Sequence, residues 1–182
     1  QAQAQRYAVV QCIVQMAPTD LPIACVALVG SDNLPLFFRA FRRAEDGKIV
    51  ALEDFDVESM DLQLALYSSL DQAEAHCRSA LMALQRDHPD PFLGLLTPSV
   101  FNAEDCNIYA YVAATNVKVL AVVRDAAFKE RKDEERVMRS LLRHVQRLYV
   151  DAACNPFHVS FEQGSFGARV GNVVEQHALM AL

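Results

Sequence analysis

Ile23 to Val29 (IACVALV) is an unbroken apolar run. A strand with one wet face alternates polar and apolar residues, whereas a run apolar at every position fits only a strand buried on both faces. The chain must therefore build a sheet with helices above and below it. The run ends at Gly30-Ser31-Asp32-Asn33, and Pro35 to Phe41 follows, so a hairpin turning at Asp32 and Asn33 is predicted. RRAEDGKIVALEDFDVE then reads as a polar connection.

From Ser59, a predicted N-cap, Leu62, Leu66, Leu70, Ala73, Cys77, Leu81 and Leu84 recur at spacings of three and four. This is one apolar face of a single helix of about 25 residues, stopped by Pro89 and Pro91. PFLGLL, NIYAYVAA and VKVLAVV read as three strands of a meander, with Thr115 and Asn116 at the last turn. Helical period returns over residues 130–150 through Val137, Met138, Leu141, Leu142, Val145 and Leu148. Asp133, Glu134 and Glu135 come early and Arg139, Arg143 and Arg147 late, as the helix dipole favours, which accounts for the basic ridge without nucleic acid. Ser165 to Leu182 is a last helix, carrying Phe166, Val170, Val173, Val174 and Leu179. The order is ββαβββαα.

With 182 residues the chain suits one compact domain over 22–182, with 1–21 read as an extension or an expression remnant. The 23 acidic and 17 basic residues, net charge −6, leave no general field for nucleic acid or an anionic membrane, so protein partners are expected. Cys12, Cys25, Cys77, Cys106 and Cys154 are odd in number and far apart, which predicts reduced cytosolic thiols. The apolar windows are shorter than the roughly 20 residues a bilayer span needs.

Sites for chemistry are sparse. The six glycines form no phosphate loop, and His76, His88, His144, His158 and His177 form no metal motif, so they are expected to be surface or half-buried. No catalytic, cofactor or metal site is predicted. Cys154-Asn155-Pro156-Phe157 carries three readings. Cys154 with His158 matches a thiol nucleophile and its base, which would make a small cytosolic thiol enzyme. Pro156 also ends a helix, with Cys154 packed at its end and Phe157 dropping back as an apolar plug. Asn-Pro-Phe, finally, resembles the tripeptide that EH domains of endocytic adaptors bind.

FLGLL, NIYAYVAATNVKVLAVVRD, LYVDAACNPF, SFGARV and the SSLDQAEAHC segment together resemble the sedlin family, the sedlin and sedlin-like subunits of the transport protein particle (TRAPP) complexes. The likeness runs over about residues 22–180, and LGLL and CNPF are closer to the sedlin-like branch. The stretches Arg42 to Ser59 and Ser99 to Asp105 are longer than the family's, and SFGARV lacks the family's acid after Phe. The resemblance implies an α+β, longin-like (SNARE-like) fold. Its five-stranded antiparallel sheet has the order 2-1-5-4-3, with the first helix on one face and the last two on the other. It also implies a non-catalytic adaptor joining other TRAPP subunits, and through them a Rab GTPase, at Golgi, ER–Golgi or endosomal membranes. Partner contact is expected at Asp71 of the Ser-Leu-Asp segment, with Ser69, Leu70 and the hairpin at Asn33.

Overall fold

The computed structural model describes residues 21–44, 48–52, 57–84, 90–96, 106–124, 131–157, 160–161 and 165–179. The strands are β1 (Ile23–Val29), β2 (Pro35–Arg43), β3 (Ile49–Ala51), β4 (Phe92–Leu96), β5 (Cys106–Val112) and β6 (Lys118–Arg124). The helices are α1 (Val57–Ser68), α2 (Leu70–Leu84), α3 (Arg131–Ala153) and α4 (Ser165–Leu179). The sheet runs β3-β2-β1-β6-β5-β4, antiparallel throughout.

Every residue of β1 is buried, because β2 and β6 flank it and helices cover both faces. Ile23, Val26 and Leu28 join the core under α3 and α4. Ala24, Cys25, Ala27 and Val29 join the core under α1 and α2. Ala24 and Cys25 are consecutive yet share a face, and the β1–β6 register shifts between Ile23 and Cys25, so a bulge changes the phase of the strand. The two faces differ in bulk. Alanines and Cys25 dominate the sheet side under α1 and α2, whereas Leu28, Phe37, Phe41 and Tyr109 meet Met138, Leu141 and Leu142 on the other.

The sheet has six strands rather than five. Ile49–Ala51 lies in the stretch read as a polar connection, and it pairs with Phe41, Arg42 and Arg43 at the outer edge of β2. The single long helix is instead two, broken at Ser69. Ser68 and Ser69 donate their hydroxyls to the carbonyls of Ala65 and Leu66 at 2.8 and 2.7 Å, and Ser69 N–H bonds three residues back to Leu66 at 3.1 Å. Such bonds compete with the four-residue helical ladder. The Ser69 carbonyl then accepts Ala73 N–H, which opens α2. Ser59 therefore lies inside α1 rather than capping it, and Cys77 is half-buried. The side chains of Leu81 and Leu84, and residues 85–89 with Pro89, lie outside the described residues.

α3 follows its predicted apolar face, with Val137, Met138, Leu141, Leu142, Val145 and Leu148 all buried. Its acidic first turn matches the dipole, but its last turn carries no base. Arg139 instead pins α3 to β4, its guanidinium 4.4 Å from the Phe92 ring centroid and bonded to Asp90. Burial alone would raise the Asp90 carboxyl, but the bonds from Arg139 and Phe92 N–H, with the charges of Arg139 and Arg143, hold it below its ordinary value.

At the end of α3, Cys154 is exposed and Phe157 is 87% exposed, so neither is the packing residue expected. Asn155 Oδ1 accepts the Phe157 N–H at 3.0 Å, and this local turn carries the ring outward. Phe161 takes the inward place. Its ring stacks on Tyr149 at 5.3 Å and meets Phe166 edge-on at 5.2 Å, and Phe166 meets Phe37 edge-on at 5.1 Å. In α4, Leu179 is exposed rather than on the apolar face, while His177 is buried.

Phe37→Ala should lower the unfolding free energy by about 3 to 5 kcal/mol, the usual cost of emptying an aromatic core site. Phe157→Ala should lower it by less than about 0.5 kcal/mol, as at other exposed positions. Urea titration of the two variants checks the pair.

Candidate functional site

The β1–β2 turn closes with Gly30 N–H on the Leu34 carbonyl at 2.8 Å and Asn33 N–H on the Gly30 carbonyl at 3.1 Å. Asp32 Oδ1 accepts Leu34 N–H at 3.2 Å and would lie 2.6 Å from a Cβ at position 30, so any larger residue there would make the Asp32 carboxylate shift. Asn33 sits at φ 63°, in the left-handed region that asparagine tolerates better than other side-chain-bearing residues. That backbone turns its side chain toward the sheet and α2. Nδ2 donates to Glu74 Oε1 at 3.0 Å, and Oδ1 accepts from Lys118 Nζ at 2.8 Å.

Lys118 opens β6 and has no exposed surface. Its ammonium has the Asn33 amide oxygen and, at 3.5 Å, Glu74 Oε1. The Glu74 carboxyl is held below its ordinary value, first by the Asn33 hydrogen bond and then, against partial burial, by Lys118 and Arg78. In the β5–β6 turn Asn116, at φ 60°, reaches the Ser31 carbonyl from Nδ2 at 3.4 Å. Two hairpin tips and α2 are thus tied together at one end of the sheet.

Asp71 is exposed in the first turn of α2, one turn before Glu74, and its charge suits the helix N-terminus. Asn33 is exposed too, and Leu34 beside it is 60% exposed. Ser69 and Leu70 are buried and shape the helix break instead of facing outward. Sequence reasoning therefore named Asp71 and Asn33 on this surface but missed Leu34, Glu74 and Lys118. A lone leucine in a turn and a lysine heading a strand were the available signals.

The other described candidates lie elsewhere. Cys154 stands at the helix end with its N–H on the Val150 carbonyl at 2.9 Å, and His158 and His88 lie outside the described residues. His177, expected at the surface or half-buried, is buried between α3 and α4, its Nδ1 2.8 Å from the Val173 carbonyl and its Nε2 3.2 Å from Ser140 Oγ. Its spacing from Val170, Val173 and Val174 already placed it on the apolar face. Burial lowers its pKa, the Val173 bond opposes that, and the nearby His144 adds to the lowering. Among the described residues no group of three or more His, Cys, Asp or Glu could hold a metal ion, and no helix is long and apolar enough to cross a membrane.

The architecture is a mixed α+β domain with an antiparallel sheet between helices, compatible with a longin-like fold. The family model of sedlin matches residues 28–176, and the chain belongs to the sedlin family. It is similar to the trafficking protein particle complex subunit 2-like proteins of Bos taurus and Xenopus tropicalis, each 30% identical over 134 residues, covering 74% of this chain and 81% of the relative. The protein of the same name from Dictyostelium discoideum is 29% identical over 136 residues, covering 75% and 82%.

Two measurements check this geometry. In a cycle of Glu74→Ala and Lys118→Met, the double variant should be more stable than the sum of the single losses requires, by about 0.5 to 3 kcal/mol, since the pair shares one network. For His177 the native pKa lies below the ordinary 6.5, so the unfolded chain binds more protons in the window between the two. Its contribution is complete above 6.5 and is lost as pH falls through the native value. Urea titrations at pH 7.5 and about 5.5 should show this loss, and His177→Gln should reduce it.

Proposed function

We propose that this chain is a non-catalytic adaptor and assembly subunit of a trafficking protein particle complex. The family match over residues 28–176, with relatives named as subunits of that complex, carries the reading. Residues 22–182 act as one longin-like unit, working at Golgi, ER–Golgi or endosomal membranes within machinery that promotes nucleotide exchange on a Rab GTPase. Contact with neighbouring subunits runs through the stapled end of the sheet. Asp71 supplies an acceptor, Asn33 and Leu34 supply the hairpin surface, and Ser69 and Leu70 act from below by setting where α2 begins. The support is physical. An exposed acid and an exposed leucine beside a turn held by the Asn33–Glu74–Lys118 bonds form a rigid patch, which loses little freedom on binding.

Recovery of other trafficking-complex subunits in a pull-down from native lysate is the expected result, and an isolated chain with a thiol-dependent activity would overturn it. Cys154→Ala should leave assembly intact. Asp71→Ala should leave thermal melting unchanged, whereas Asp71→Tyr should keep the fold but weaken co-purification of neighbouring subunits, through lost pairing and steric conflict. Intact assembly with Asp71→Tyr would move the contact off this residue.

A further inference from the structure

The assembly role leaves unused three residues at the end of α3. The helix closes with Cys154 N–H on the Val150 carbonyl at 2.9 Å and Asn155 N–H on the Ala152 carbonyl at 3.1 Å, and Pro156 has no N–H to carry it on. Asn155 then bends the chain through its own side chain, since Oδ1 accepts the Phe157 N–H at 3.0 Å. This side-chain turn fixes the tripeptide without help from the core. Its result is Phe157 at 87% exposure, the highest among the exposed large apolar residues described, with Cys154, Asn155 and Pro156 exposed around it.

At 87% exposure that ring adds little to the packing of the described residues. Phe161 fills the aromatic place between Tyr149 and Phe166, and an aromatic ring held in water offers on the order of 150–250 Å² of surface that only a partner can bury. The turn is also well anchored. Tyr149 stacks in the aromatic chain, Val145, Leu148 and Ala152 are buried on the sheet, and Asp151 pairs with Arg169 of α4 at 3.5 Å.

We propose that the Asn155-Pro156-Phe157 turn is a docking site for a partner domain with a ring-sized apolar pocket and a hydrogen-bonding rim for the asparagine amide, the chemistry of an EH-type domain. Phe157 enters the pocket, and Asn155 offers Nδ2 to the rim while its Oδ1 holds the turn. A ligand in a disordered tail loses chain freedom on binding, whereas this one is already bent and held. α3 covers the sheet face opposite to α2, so the turn is separate from the Asp71 surface and both can be occupied at once.

The test titrates the full chain with a purified EH domain, followed by calorimetry. Saturable one-to-one binding is expected, weakened at least tenfold by Phe157→Ala and by Asn155→Ala, while Phe157→Ala keeps the parent melting temperature and still co-purifies neighbouring subunits. Absence of binding by the parent chain overturns the proposal, as does unchanged affinity in Phe157→Ala. A lowered melting temperature in Phe157→Ala also overturns it, since the ring would then be packed in the fold.

Discussion

Burying a strand on both faces sets conditions on everything around it. β1 has no wet side, so its peptide groups must find partners within the sheet and its side chains must find helices on either side. β2 and β6 satisfy the first demand, and the two helical layers the second. The helices in turn need that surface, because α3 would leave Met138, Leu141, Leu142 and Val145 in water without it. β6 shares the burden, since its residues up to Val123 are all buried.

How much of this was legible follows from the range of the forces involved. A run apolar at every position, turn asparagines and a repeat of three and four are local signals, and β1, the two hairpins and α3 came from them. The break at Ser69 was invisible to periodicity, because Leu66, Leu70 and Ala73 stay in phase across it while two serine hydroxyls decide the backbone. β3 was unreadable for a different reason. Three residues in a polar stretch become a strand only because β2 has an open edge beside them. At Pro156 the stop was legible but the direction was not, since one side-chain oxygen of Asn155 turned Phe157 outward.

The candidate site shows the same division. Asp71 and Asn33 were found through a family segment and a turn signal, but what ties the turn to α2 is Lys118 with Glu74, neither of which was singled out. Lys118 is tolerable in the interior because its flexible stem packs along the strand while its ammonium keeps two oxygen partners. Glu74 and Asn33 are 41 residues apart and Lys118 is 85 from Asn33, so no pattern along the chain announces the meeting. Only the folded sheet brings them together.

The sheet's edges bear on how the molecule can join others. At one margin β3 offers a ladder of three residues, and at the other β4 is interrupted between Phe92 and Gly94, where the backbone turns to φ 78°. Among the described residues neither margin presents a long, flat row of edge peptide groups, the template on which foreign strands and misfolded copies grow. Edge pairing with a foreign strand is thereby disfavoured. Turns and helix ends are then the places where side-chain chemistry can be altered by mutation without disturbing the hydrogen-bonded frame beneath.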